Sequence, residues 1–214
     1  GAGGGLGTSL LTKAQADGYT LGIASVSTHI VNPSCNKNVD YDPVKGFTHL
    51  ALIADMPMVW VKQPNSIPGG FKETWQEIKN RPGHYTQGTP GVCSFGHMFL
   101  ERINEDMGLE IRHIPYKGSA PAIADFLGKN LDFMFDVESL TIPQIKNGKA
   151  VPFAVAWSSR IESLPDTPTL SELGYPSLTF TPWYGVIAPA NLPDDVKNKL
   201  VSAINIAMKD KRLQ

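Results

Sequence analysis

Residues 88–103 read GTPGVCSFGHMFLERI, and they decide the fold. His84–Gln87 before them have the character of a short strand end. After them Phe95, Phe99, Ile103 and Met107 recur at helical spacing, so residues 94–107 are expected to form a helix. Between strand and helix lies a Thr-Pro-Gly turn followed by Cys93 and Ser94. A strand, a Gly-containing loop and a helix start form an anion site, because the first helical N–H groups lack intrahelical partners and the helix dipole favours negative charge there. Thr89 and Ser94 add hydroxyls. The plainer alternative is an ordinary β–α turn with Ser94 as N-cap.

Outward from this stretch the same alternation continues. Helices are expected at 71–80, 119–127 and 140–146, with a further helical turn or two at 169–173. Strands are expected at 109–116, 131–135 and 151–157. Such alternation predicts an α/β fold with a mostly parallel sheet covered on both faces. Upstream, a short helix at 8–16 and strands at 19–24, 48–54 and 58–61 are expected. The polar stretch 62–70 has the composition of an interdomain linker. TFTPWYGVIAP at 179–189 is apolar and extended, and an amphipathic helix follows at 194–209.

Composition narrows the function. The chain has 214 residues, 42% hydrophobic and 18% charged, with a formal net charge of −1. It is globular, without the basic patch of a nucleic-acid binder or an apolar run long enough to span a bilayer. An anionic ligand therefore needs local donors. Cys35 and Cys93 form no CxxC or Cys/His cluster and fix no disulfide framework. No cofactor or metal is expected. GAGGGLG at 1–7 places Leu6 where a dinucleotide loop needs its last glycine, and no Walker A motif occurs. Asp40 and Asp42 fit turn chemistry better than a catalytic carboxylate pair.

Single residues complete the candidate set. Ser27 and Thr28 follow a probable strand, where open α/β sheets bind ligands; otherwise Thr28 caps a helix. Tyr116-Lys117-Gly118-Ser119 joins a strand to a helix that Ser119 would cap. Asp136 ends the apolar run LDFMFD, pointing into a cleft or capping a turn.

With these pieces in place the chain resembles the tripartite tricarboxylate transporter receptor, or Bug, family of periplasmic solute-binding proteins. The matching segments, in the family's order, are GAGG at 1–4, ADGYTL at 16–21, YDPVKGF at 41–47 and GTPGVCSFGH at 88–97. IPYKGSAPAIADFLGKNLDFMFD at 114–136, RIESLPDTPTLSELGYP at 160–176 and WYGVIAPANLP at 183–193 complete them. The resemblance implies two α/β domains of the type II periplasmic-binding-protein kind around a cleft. Residues 1–62 plus 185–214 would form domain I and residues 63–184 domain II. It implies a non-catalytic receptor in the periplasm that captures a small carboxylate for the membrane components of such a transporter.

Under that resemblance, main-chain N–H groups from Gly91 through Val92 and Cys93 to Ser94 would hold the carboxylate, oriented by Thr89 and Ser94, with His97 beside them. Asp136 would accept a hydrogen bond from the ligand or a water. Tyr116 and Trp183 would wall the pocket, and Ser27 and Thr28 would contribute from the other domain. Three departures stand out. The family's first strand and its Gly-Gly loop, and its last helices, are not present, so the chain is expected to be part of a longer protein, truncated at both ends. Cys93 stands where the family usually has Gly, and Gly5 where Asn is common. Two rivals from other classes are a hydrolase using Ser94 or Cys93 and an interaction module without a ligand. The GxSxG elbow of the first lacks its first glycine, since Val92 stands there.

Overall fold

A computed structural model describes residues 2–211. In chain order its main elements are α1 (Gly5–Thr12), β1 (Gly22–Ser25), a π-helical turn (Ser27–Val31) running into α2 (Asn32–Cys35), β2 (Phe47–Asp55) and β3 (Met58–Lys62). Then follow α3 (Phe71–Asn80), β4 (Thr86–Thr89), α4 (Phe95–Met107), β5 (Arg112–Pro115), α5 (Ser119–Leu127), β6 (Phe133–Val137), α6 (Glu138–Lys146) and β7 (Val151–Ala156). β8 (Trp183–Pro189) and α7 (Asp194–Ala207) end the series.

The chain forms two compact units. Of the described residues, the larger holds 2–3 and 56–182, the smaller 4–55 and 183–211. The boundaries differ from the expected 62/63 and 184/185 because of β3. Residues 58–62 do not belong with the N-terminal segment; they lie inside the larger unit's five-stranded sheet, of order β5-β4-β6-β3-β7. All five residues of β3 are buried, as a run of Met, Val, Trp and Val suits a strand covered on both faces.

The expectation of mostly parallel sheets needs correction. β4 is parallel to β5 and β6, as strands linked through α4 and α5 should be. β3 reaches this sheet directly from β2 rather than through a helical crossover, and it runs antiparallel to both β6 and β7. The smaller unit's sheet, β1-β8-β2, is antiparallel throughout. Residues 169–173 form a single turn, closed by Leu173 N–H donating to Thr169 O. Val155 N–H donates to Pro168 O and Val155 O accepts the Leu170 N–H in return, which draws this segment against β7.

α4 carries the core of the larger unit. Phe95, Phe99, Leu100, Ile103 and Met107 form its buried stripe, and Phe99 stacks on Phe135 of β6 at 4.2 Å with ring planes 3° apart. Gly108, at φ 62, closes the helix in the left-handed region that glycine enters without strain. In the smaller unit Leu11, Ala24, Phe47 and Ile187 pack together beneath α1. Neither cysteine is free, although nothing in their sequence contexts signals a disulfide: both Cys35 and Cys93 are disulfide-bonded.

Candidate functional site

The loop between β4 and α4 is built from its own side chains. Ser94 is the N-cap of α4, its Oγ accepting the His97 N–H at 3.2 Å. Thr89 Oγ1 accepts the Gly91 N–H at 3.3 Å and lies 2.6 Å from His113 Nε2. The Cys93 N–H donates to His97 Nδ1 at 3.3 Å, and the Ser94 N–H to Gly91 O at 3.2 Å. These bonds hold a path that suits Gly91, at φ 139, and strains Cys93, at φ 57. The left-handed region costs an ordinary L-residue such as Cys93 about 1–2 kcal/mol.

Thr89 and Ser94 differ from the expectation of ligand-facing hydroxyls. Each is about 99% buried, and each is occupied with the loop's own backbone or with His113. They shape the loop. Val92 is the exposed residue at its tip. Gly3, on the same unit, lies against the loop: a Cβ added there would stand 3.1 Å from both Cys93 O and Ser94 Cα. Neither Gly3 nor His113 emerges as a site residue from the sequence. Gly3 belongs to a glycine run dismissed for lack of a nucleotide motif, and His113 lies on a strand of ordinary apolar character.

His113 extends from β5 to stack on His97, with ring centroids 4.1 Å apart. Burial and the neighbouring His97 push its pKa down from 6.5 to about 4. His97 Nε2 lies 3.6 Å from Glu101 one helical turn on.

Asp136 is the last residue but one of β6, opposite Val59, and is buried. Its Oδ1 accepts the Val137 N–H at 2.8 Å, and Ser119 donates its hydroxyl to the same carboxyl. Burial outweighs these bonds and raises the Asp136 pKa above the usual carboxylate range. Ser119 therefore does not cap α5; Gly118 holds that place, at φ 128. Tyr116 donates its hydroxyl to Asp125 Oδ2 at 2.6 Å and packs on the apolar cluster around Phe126 and Leu131. Burial and that carboxylate raise its pKa to about 12, which keeps it a phenol at neutral pH.

In the smaller unit Ser27 opens the π-helical turn and is half-buried. Thr28 is not the cap. It forms a reciprocal pair with Ser25, receiving the Ser25 N–H on Oγ1 at 3.0 Å, and it also meets His29 Nδ1 at 2.9 Å. His29 Nε2 is buried without a partner among the described residues, and burial lowers its pKa. Trp183 lies with its ring 6.4 Å from that of His29 and, with His49, lines a cavity of about 240 Å³ on the sheet. Among the described residues no group of three or more His, Cys, Asp or Glu side chains is placed to hold a metal ion, and no helix is long and apolar enough to cross a membrane.

An α/β fold with this helix-terminal loop is that of the periplasmic binding proteins, and the solved structures agree. BugD, a periplasmic binding protein, superposes with TM-score 0.95 at 34% identity, covering 100% of this chain and 71% of its own. MatC from Rhodopseudomonas palustris with bound malate gives 0.93 at 26% identity, covering 100% and 72%. A second R. palustris protein, solved with adipate, gives 0.93 at 27%, covering 99% and 71%. Among curated relatives, BugT of Bordetella pertussis is 32% identical over 214 residues, 99% of this chain. The chain belongs to the tripartite tricarboxylate transporter receptor family, whose description, "Tripartite tricarboxylate transporter family receptor", matches residues 1–213. It spans 60% and 65% of the length of the first two curated relatives it matches.

Proposed function

We propose that this chain is the ligand-holding part of a periplasmic receptor that captures a small organic acid and delivers it to the membrane components of a tripartite tricarboxylate-type transporter. The observation that carries the ligand class is the pair of similar receptors solved with malate and with adipate. Both ligands are dicarboxylates, and a receptor for them needs a place for a carboxylate in a protein with almost no net charge. The loop 89–94 at the N-terminus of α4 fits that need. Its N–H bonds to Thr89 Oγ1, Gly91 O and His97 Nδ1 are 3.2–3.3 Å long. These bonds hold the loop in shape at the start of α4, where the helix dipole favours a negative charge. Val92 marks the open side of the loop, and the buried Gly91 beside it carries the backbone turn at φ 139. Asp136, buried at the end of its strand, is suited to select among acids. Tyr116 stiffens the neighbouring turn through Asp125. Ser27, Thr28 and Trp183 are candidate ligand contacts of the smaller unit.

The hydrolase reading has no geometric support. Ser94 Oγ takes the backbone N–H of His97 rather than facing its ring, and Cys93 is not a free thiol.

A thermal-shift series on the 214-residue chain with malate, adipate, succinate, citrate and acetate, and with glucose as an uncharged control, tests the proposal. A ligand at 100 times its Kd stabilises the native state by about 2.7 kcal/mol, so a true dicarboxylate ligand raises Tm by several degrees. No shift with any acid, confirmed by calorimetry, overturns the carboxylate reading.

A further inference from the structure

The loop follows a backbone path that its own sequence does not favour. Cys93 at φ 57 needs outside restraint to stay in place, whereas Gly91 at φ 139 lies in a region that glycine enters freely. The restraints converge on two imidazoles that come from different elements. His97, in the first turn of α4, receives the Cys93 N–H on Nδ1 and gives its own backbone N–H to Ser94 Oγ. It therefore ties the end of the loop twice. His113, on β5, places Nε2 2.6 Å from the Thr89 hydroxyl that accepts the Gly91 N–H, and so it ties the beginning. The two rings stack at 4.1 Å with planes 23° apart. A displacement of one ring removes the seat of the other.

We propose that His97 and His113 are positioning residues, a stacked imidazole pair that fixes both ends of the 89–94 loop and thereby sets its affinity for a carboxylate. This rests on the carboxylate-holding role proposed above for the loop. The hydrogen-bond chemistry is specific. An N–H donor on Nδ1 requires that nitrogen to be bare, so neutral His97 carries its proton on Nε2, toward Glu101 Oε1 at 3.6 Å. Thr89 and Ser94, both buried, act with the pair in holding the loop.

The test uses the 214-residue chain with malate and adipate as probes, followed by calorimetry. His97→Leu and His113→Leu remove the ring nitrogens. His97→Asn keeps an acceptor near the place of Nδ1, and His113→Gln keeps a polar group near that of Nε2. We expect each Leu variant to lose about tenfold in affinity, the equivalent of one hydrogen bond, and the Asn and Gln variants to recover to within about threefold of the parent. Nitrogen-15 spectra of the unsubstituted chain should show His97 as the Nε2–H tautomer, a readout that stands even if a Leu variant fails to fold. Wild-type affinity in the Leu variants, equal losses in the Leu and amide variants, or an Nδ1–H tautomer at His97 overturns the assignment while leaving the carboxylate reading intact. Absence of binding to either acid by the unsubstituted chain overturns both.

Discussion

Trp60 and Gln87 share a buried hydrogen bond, indole Nε1–H to Oε1 at 2.9 Å, although their strands β3 and β4 are separated in the sheet by β6. The bond passes across the face of the sheet. Gln87 Nε2 is left without a partner among the described residues. Trp60→Phe should therefore cost more than Gln87→Met. The first leaves both ends of a buried amide unsatisfied; the second orphans one N–H and removes an orphan already present. We expect about 2 kcal/mol for Trp60→Phe, less for Gln87→Met, and a double variant that is more stable than additivity predicts. Urea unfolding of the four proteins measures this cycle. Strict additivity would show that the bond is not made.

Gly91 supports a prediction about binding. At φ 139 it occupies backbone space that L-residues rarely enter, and it borders the proposed carboxylate position. Gly91→Val should raise the Kd for malate tenfold or more, and lower Tm by a few degrees at most. Calorimetry alongside a melting curve separates the two effects. Unchanged affinity places the ligand elsewhere.

Asp136 gives an opposite sign. Its raised pKa means that the folded state holds this proton at pH values where the unfolded chain has released it. Above the ordinary value of 3.8 the folded state is penalised by that difference. Asparagine keeps an acceptor for the Val137 N–H and the Ser119 hydroxyl without the charge. Asp136→Asn should raise Tm at pH 7, and the gain should vanish as the pH falls to the point where the parent carboxyl is protonated. It should also tighten carboxylate binding by removing residual negative charge. A Tm below that of the parent at pH 7 contradicts this account.

His113 makes the larger unit sensitive to acid. Its folded value of about 4 lies under the ordinary 6.5, so between these limits the unfolded chain binds more protons than the folded one. This contribution is present above pH 6.5, declines as the pH falls toward 4, and changes little below that. The same holds in direction for His29 in the smaller unit. A His113→Gln variant should lose less Tm between pH 7 and pH 4.5 than the parent does. Identical pH slopes would mean that His113 is not the group responsible.

The alternation that begins at residue 86 is legible because it depends on local rules. The Ser94 cap, the apolar stripe of α4 and the span of α5 all follow from residues a few places apart. The direction of β3 is not legible, since MVWVK has the same composition whether it runs parallel or antiparallel to its neighbours. The candidate site is legible as a loop but not as a mechanism. Thr89 is a plausible ligand donor until His113, 24 residues away, is seen to occupy its hydroxyl. Cys93 is equally opaque: its left-handed backbone can be anticipated from the missing glycine, whereas its disulfide state cannot. Asp136 is visible as a polar residue ending an apolar strand, but the sign of its pKa shift depends on how deeply the sheet buries it.

The position of β3 also dictates an order of events during folding. Trp60 pairs with Phe135 on one side and Ala154 on the other, so this strand has no sheet partner until most of the larger unit's chain is in place. Pairings so distant along the chain carry a high loop-closure cost and form slowly. β4, α4 and β5 can assemble from near neighbours first, leaving the hydrophobic 58–62 segment exposed until β6 and β7 arrive. A chain interrupted before Phe133 therefore carries an unpaired apolar strand, and it is at that stage of synthesis or refolding that a chaperone, or self-association, has its opportunity.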